Sequence, residues 1–353
     1  MRVGLDATPL LGVRTGIGRY TADLVQALSS GPDELVATAF TLRGRGGLAV
    51  PAGVRVRARP VPARLLHEAW ARTDLPPVEL LTGPLDVFHA TNFVLPPSRA
   101  PGVVTVHDLA FLRHTATVAA ASARYRALVP RSVRRARVVV VPSRAVAEQL
   151  QDAYAAELGG TPVRVVPHGV DPGWSAATPP DAALRTALGL PASYVVFVGT
   201  LEPRKDLRTL LAAHRRLPDA PPLVLVGPPG WGEQVDVSSA ITPGFVADDD
   251  LRRVVAGASA LVLPSRDEGF GRTVLEALAA GTPVVASDLP VLREVGGTAV
   301  AYAPVGDPEG FAAALSAVLH SPGDPAVRRA QAAGFTWSRS AELHRAAYAR
   351  ALS

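Results

Sequence analysis

The sequence predicts an α/β protein made of two doubly wound domains facing a cleft. Three observations carry that prediction. Short apolar runs alternate with helical segments, and the alternation runs twice along the chain. The 353 residues are enough for two domains. A pair of glycines stands between a strand and a helix in each half, Gly16 with Gly18 and Gly269 with Gly271.

The first domain is expected over residues 1–172. Arg2–Leu5 reads as its opening strand, and Thr15-Gly16-Ile17-Gly18 leads into a helix over Arg19–Leu28. That turn is either a plain strand–helix connection or an anion cradle at a helix N-terminus. Val36–Leu42 is a second strand, and Val54–Arg57 alternates as a third. Pro60–Leu80 is proline-rich, with a short helix around Leu65–Ala71. Asp86–Ala90 and Val103–Asp108 are buried strands. His107 and Asp108 close the latter, at the carboxyl end where open α/β sheets hold ligands. A lone histidine is usually structural, but this position makes His107 a functional candidate. His89 to Asn92, ending the preceding strand, are candidates for the same cleft.

Ala119–Ala136 is helical and carries Arg124, Arg126, Arg131, Arg134 and Arg135, with Pro130 kinking it or starting a second segment. This basic stretch is either a solvated face or a peripheral contact with an anionic membrane. Val138–Val141 is a strand, a helix follows from Ala145, and the domain's last strand lies in Val163–Asp171.

The second domain is expected over residues 173–335, opening with a linker at Gly173–Pro180. Tyr194–Val198 is a strand, and a helix over Asp206–Leu217 places Arg204 and Lys205 beside a helix N-terminus. Lys205 is the single lysine among 36 basic residues. A compact ammonium on a phosphate is one reason for arginine not to serve there. Leu223–Gly227 is a strand. Asp248, Asp249 and Asp250 resemble a metal-binding D-x-D set, but acids at a helix start also complement its dipole, which is the reading preferred. No other His, Asp or Glu set has ligand spacing, so no metal is expected. Helices close the domain at Glu309–Leu319 and the chain at Ser338–Ala351.

Leu261–Val285 is the most informative stretch: strand, glycine-rich loop, helix from Thr273 to Ala280, stop at Gly281-Thr-Pro283, strand. Gly269 and Gly271 let backbone approach a ligand, and the helix start presents unpaired N–H groups. Glu268 and Glu276 flank this cradle, and carboxylates accept sugar hydroxyls well. An anion cradle between two hydroxyl acceptors suits a diphosphate between two sugars, as in a sugar nucleotide. Thr273-x-x-Glu276 is equally a capping-box pattern.

Composition excludes several classes. There is no cysteine, hence no disulfide and no thiolate metal site. No apolar run approaches the roughly 18–20 residues that span a membrane, and Met1–Asp6 starts as a strand without a signal-peptide pattern. A cytoplasmic protein is expected, with peripheral contact at the inner face of the membrane as the alternative. Residues 1–172 hold 20 of the 36 Lys+Arg and 13 of the 31 Asp+Glu, a net +7, which leaves −2 on the rest. No nucleic-acid motif accompanies the basic half, so no nucleic-acid partner is expected.

Glu268-Gly-Phe-Gly-x-x-x-Leu-Glu276 resembles the E-x7-E motif of the family-4 glycosyltransferases, which have the GT-B fold. The resemblance continues through Ala277–Asp288 and Leu292–Gly297. It covers nearly the whole chain. It implies that Glu276 holds the nucleotide ribose, that Glu268 meets the transferred sugar, and that Gly269, Phe270 and Gly271 hold sugar and diphosphate through backbone amides. Arg272 and Thr273 depart from the family's usual apolar residue and proline. Thr273 is expected to cap the helix or touch the donor, and Arg272 to touch phosphate or sugar. Arg204 and Lys205 match the family's cationic pair on the diphosphate; Thr200 stands where many members carry a further arginine. Gly16 and Gly18 match its N-terminal glycine loop, His107 its histidine near the transferred sugar, and Val246 its base-reading backbone. Asn92 and Asp108 are acceptor-side candidates. Residues 228–242 are shorter than the family's usual segment. The last helix, over residues 336–353, is expected to return to the first domain.

The resemblance implies metal-independent hexosyl transfer with retention, from a nucleotide diphosphate sugar to a glycan, lipid-linked or small-molecule acceptor. The stretches Phe88–Pro97 and Val198–Lys205 resemble mannosyltransferase-like members, so GDP-mannose is the expected donor, as substrate and not as cofactor. Two rivals stand beside it: a sugar-nucleotide epimerase on the same fold, and a catalytically silent nucleotide-sugar-binding subunit.

Overall fold

A computed structural model describes residues 1–12, 16–42, 47–57, 59–113, 124–231 and 235–353. They form two compact units. The first joins the described residues up to Gly169 with Trp337–Ser353, and the second is Val170–Thr336.

The first unit is built on β1 (Arg2–Asp6), β2 (Glu34–Thr38), β3 (Arg55–Val56), β4 (Val87–Ala90), β5 (Gly102–Thr105), β6 (Ala136–Val141) and β7 (Val163–Val165). All pair in parallel, in the order β3-β2-β1-β4-β5-β6-β7. The second unit is built on β8 (Val195–Val198), β9 (Leu223–Val226), β10 (Ile241–Gly244), β11 (Ala260–Leu263), β12 (Val284–Ser287) and β13 (Ala301–Ala303), again parallel, in the order β10-β9-β8-β11-β12-β13. The central strands are buried along their whole length, most of them Val/Leu-rich and β4 carrying Phe88 and His89, which is what a parallel sheet covered on both faces requires. In each sheet the winding direction reverses once, between β1 and β4 and between β8 and β11. Such a reversal opens a crevice at the strands' carboxyl ends.

Several elements differ from the sequence reading. The first helix runs Gly16–Ser29, so Gly16 and Gly18 lie in its opening turn and not in a loop before it. Residues 13–15, the rest of that expected loop, lie outside the described residues. Tyr20, Thr21, Leu24, Val25 and Leu28 form the buried stripe that holds the helix on the sheet. Of the expected helix over 119–136, Tyr125–Arg135 is helical with Pro130 inside it, and residues 114–123 are not described. Helices Ala182–Leu188, Pro290–Gly296 and Pro325–Ala333, and strands β10 and β13, fall where no element was expected. Both strands are short edge strands, and β10 contains Pro243, which an edge tolerates and a strand pattern hides.

The segment Val163–Asp171 is strand only to Val165. Val170 pairs with Thr336, its N–H bonding the Phe335 carbonyl at 3.0 Å. The last helix, Trp337–Leu352, packs in the first unit with His344 and Tyr348 fully buried.

Arg135 is not part of a free basic face. Its Nε donates to Asp74 at 3.0 Å and its Nη2 to the Trp70 and Thr73 carbonyls. Arg134 pairs with Glu157 at 3.3 Å.

Candidate active site

The second sheet reverses between β8 and β11, and the loops leaving those two strands meet. After β8, Pro203–Lys205 forms a single 3-10 turn ahead of the helix Leu207–Arg215. Asp206 joins the two in the left-handed region, at φ 48°, a conformation that costs a non-glycine residue about 1–3 kcal/mol. Its carboxylate is buried and accepts from Thr209 Oγ1 at 2.8 Å and pairs with Arg266 at 3.0 Å. Those contacts hold the strained turn that aims Arg204 and Lys205.

Glu268, after β11, is the centre of this arrangement. Lys205 Nζ donates to its Oε1 at 2.6 Å, Ser265 Oγ to the same oxygen at 2.7 Å, and Arg204 Nη1 stands 3.6 Å from Oε2. Arg204 is itself clamped by Glu202, at 2.8 and 3.1 Å, and by the Asp267 carbonyl at 3.0 Å. Burial pushes the Glu268 pKa up. The charges of Lys205 and Arg204 and the bonds from Lys205 and Ser265 outweigh it and hold the carboxyl below its usual value. Glu268 is therefore a buried anion inside a cationic collar.

The glycine loop follows directly. Gly271 has φ 90° and is the N-cap of the helix Arg272–Ala280, and as a glycine it brings no capping side chain of its own. A Cβ at Gly271 would lie 2.4 Å from Leu292 Cδ2, so both the backbone angle and the packing demand glycine. With Gly271 as N-cap, Thr273 and Glu276 are out of capping-box register, and that reading of the pair is excluded. Glu276 is buried, with Arg272 Nη2 3.5 Å from its Oε1. Arg272 thus turns along its own helix toward Glu276. The Phe270 ring packs edge-on to Phe335 at 6.0 Å, and the Val246 side chain is buried, so both can offer a ligand only backbone.

In the first unit the reversal lies between β1 and β4. His107, two residues past β5, donates from Nε2 to the Thr91 carbonyl at 2.8 Å. Its ring stands edge-on to Tyr20 at 4.7 Å and to Phe93 at 5.7 Å. Phe93 has φ 56° and is wedged among His107, Phe111 and Tyr125. Asn92, before it, bonds the Tyr125 hydroxyl. Asp108 Oδ1 accepts from Ala110 N at 3.1 Å and so turns the chain into the helix Ala110–Arg113.

His89 proves structural. His344 Nδ1 faces the Ser340 carbonyl at 2.8 Å, an acceptor only, so Nδ1 carries the proton and Nε2 accepts from Tyr20 Oη at 3.0 Å. Tyr20 Oη then accepts from Thr105 at 3.3 Å, Thr105 from His89 Nε2 at 2.7 Å, and His89 Nδ1 from Tyr348 at 2.9 Å. Every member is satisfied in this one direction. The chain ties the last helix to β4, β5 and the first helix.

The sequence reading missed Glu202, Ser265, Asp6 and Tyr20. Glu202 and Ser265 lie inside the Val198–Lys205 and Leu261–Val285 stretches but carry no signal of their own until the loops meet. Asp6 ends β1 at the reversal, and burial, only partly offset by bonds from Thr8, pushes its pKa up to about 6.

Residues 14–174 match the family model described as Glycosyltransferase Family 4, and residues 192–321 the one described as Glycosyl transferases group 1. The chain is 37% identical over 164 residues to O-antigen chain mannosyltransferase B of Escherichia coli, covering 41% of this chain and 42% of that protein. It is 34% identical over 293 residues to D-inositol 3-phosphate glycosyltransferase of Mycolicibacterium vanbaalenii, covering 72% of this chain and 62% of that protein. The chain thus spans less than two thirds of the length of either relative. Among solved structures, sucrose-phosphate synthase from Thermosynechococcus elongatus matches with TM-score 0.69 at 21% identity, over 100% of this chain and 96% of that one. Anabaena HepE in complex with UDP-glucose matches with TM-score 0.69 at 19% identity, over 98% of each. At such identities these two establish the fold alone.

Two parallel α/β units of this strand order, with these structural neighbours, define the GT-B class of glycosyltransferase folds. Within that class, the chain belongs to the family-4 glycosyltransferases.

Proposed function

We propose that the protein transfers a hexosyl group, mannose from GDP-mannose, to an acceptor hydroxyl, with retention at the anomeric carbon and without a metal. The observation that carries the reading is the collar of Lys205 and Arg204 around Glu268, beside the helix start at Gly271. The donor diphosphate sits at that helix start. Lys205 and Arg204 stabilise the charge that grows on it as the glycosidic bond breaks, the kind of preorganised term that dominates many enzymes. Glu276 accepts from the ribose hydroxyls, and Glu268 from hydroxyls of the transferred sugar. The acceptor hydroxyl attacks on the face the diphosphate leaves and passes its proton to a departing phosphate oxygen, which preserves the anomeric configuration. His107, Asn92 and Asp108 serve the acceptor side, with the His107 Nε2 proton held on the Thr91 carbonyl.

The choice of mannose rests on the resemblance of two stretches to mannosyltransferase-like members and on the Escherichia coli relative's name. The acceptor is a glycan, a lipid-linked sugar or a small polyol phosphate, the last in keeping with the name of the second relative. Among the described residues no helix is long and apolar enough to cross a membrane.

Thermal shift with GDP, UDP, dTDP and ADP tests the donor class, since a ligand of the native state stabilises in proportion to its affinity. GDP alone should raise the midpoint clearly. A shift with UDP alone replaces the donor, and no shift with any nucleotide in a folded sample removes the nucleotide site, and with it both the transferase and the silent nucleotide-sugar-binding subunit.

A further inference from the structure

The first unit holds a cavity of about 440 Å³ that takes no part in the site described above. It is lined by Arg2, Arg57, Arg59 and Glu79 and by residues 80–84, the rest of the short helix Glu79–Thr82 and the turn after it. Arg2 begins β1, and the turn leads into β4, so the cavity borders the amino ends of those strands. Asn92 and His107 follow the carboxyl ends of β4 and β5. The length of β4 separates the two ends, about 13 Å at 3.3 Å per residue.

The charges lining it are unbalanced. Glu34, the nearest acid on β2, is already engaged by Arg2 at 3.3 Å and Arg55 at 3.0 Å. Glu79 spends Oε1 on Ser98 Oγ at 2.6 Å, Arg99 N at 2.8 Å and Ala100 N at 3.0 Å, while its Oε2 is buried without a hydrogen-bond partner, one carboxylate against three guanidinium groups. Its role is to hold the loop before β5. Among the described residues, neither the Arg57 nor the Arg59 side chain has an acid within salt-bridge reach. Both sit just past the edge strand β3, where the backbone of Arg57 is fixed by its N–H bond to the Ala37 carbonyl at 2.8 Å. Like charges brought together around one concavity repel, and they are relieved by a shared anion. Guanidinium groups bind phosphate oxygens in forked pairs, and a cavity of this size lies within the range of small-ligand sites.

We propose that this cavity binds a phosphate ester, its phosphate held by Arg57 and Arg59 with Arg2 behind them, as a second anion site on the first unit. The phosphate belongs either to a soluble metabolite or to a phospholipid headgroup. The chemistry of recognition is the same, and the source is decided by experiment.

The test is calorimetric titration of the intact chain with inorganic phosphate and with glycerol 3-phosphate at low ionic strength. Lys205→Ala serves as background, because it weakens the other anion site. Saturable binding should persist in Lys205→Ala and weaken at least tenfold in Arg57→Ala/Arg59→Ala. Arg57 and Arg59 are exposed, and an unchanged thermal midpoint confirms that the double variant is folded; Arg57→Gln/Arg59→Gln repeats the test with the side-chain stems kept. In parallel, vesicles containing phosphatidylglycerol are sedimented with the wild type and the double variant. Binding to vesicles that the double variant loses assigns the phosphate to a headgroup, and ester binding without vesicle binding assigns it to a soluble compound. No ester binding by Lys205→Ala, or binding undiminished in both double variants, overturns the site.

Discussion

The Lys205 ammonium and the Glu268 carboxylate lie 2.6 Å apart although 63 positions separate them in the chain. Each leaves the carboxyl end of a strand, β8 for Lys205 and β11 for Glu268, and those two strands are neighbours at the point where the sheet reverses. The pair therefore depends on strand order and not on local sequence. It is also the one place where the chain keeps a lysine, and the short contact to a buried carboxylate gives a compact ammonium a use that a guanidinium fork does not match.

Lys205→Ala should lower turnover by about 100- to 1000-fold, the effect of removing one preorganised donor from a developing charge. It should also destabilise the second unit by about 1.5–3 kcal/mol, the range for a hydrogen bond to a charged group, because Arg204 and Ser265 still attend Glu268. Steady-state kinetics and thermal unfolding check the two parts separately. Turnover unchanged in a folded variant takes Lys205 out of the mechanism.

Gly271→Ala should cost roughly 1–2 kcal/mol from the left-handed backbone alone, with a further loss from the Cβ placed 2.4 Å from Leu292 Cδ2. Nucleotide affinity should fall with stability, since the same residue opens the helix start. Pairing it with Leu292→Ala should restore part of the stability but not the affinity. A single variant as stable as wild type contradicts the φ of 90° at this position.

The histidine chain predicts a pH dependence for the first unit. Burial lowers the His344 pKa to about 4, although its bond to Ser340 pulls the other way, and burial and nearby histidines put His89 well below its ordinary value. Groups depressed on folding bind fewer protons in the native state. Their contribution is complete above about 6.5 and is lost as pH falls toward 4, which for His344 amounts to roughly 3 kcal/mol. Asp6 has the opposite sign. Its pKa is raised to about 6, so its contribution is complete below 3.8 and is lost as pH rises through 6. Wild type should therefore show a shallow acid loss, and Asp6→Asn a steeper one. Thermal midpoints from pH 7 to 4 decide it; parallel curves for the two proteins rule out the assigned state of Asp6.

Much of this architecture is written locally. Buried parallel strands are unbroken apolar runs, so β8, β9, β11 and β12 are visible as Val/Leu stretches. Helix starts carry their own chemistry, which is why the glycines at 269 and 271 and the cations at 204 and 205 pointed to an anion. The short edge strands β10 and β13 carry too little pattern to be seen, and the true start of the first helix was hidden because glycine is a poor helix former that its first turn tolerates.

What no local pattern contains is who meets whom. Thr273 and Glu276 fit two roles on paper, and the N-cap at Gly271 excluded one of them. His89 and His107 end successive strands and look alike. Side chains alternate across a sheet, so His89 turns to the last helix and Tyr348, 259 positions away, while His107, beyond its strand, stays at the carboxyl edge. Contacts of that separation arise only when strand order and the return of the last helix close the chain on itself. Their geometry is set by the packed core, and the spacing of residues along the chain does not encode it.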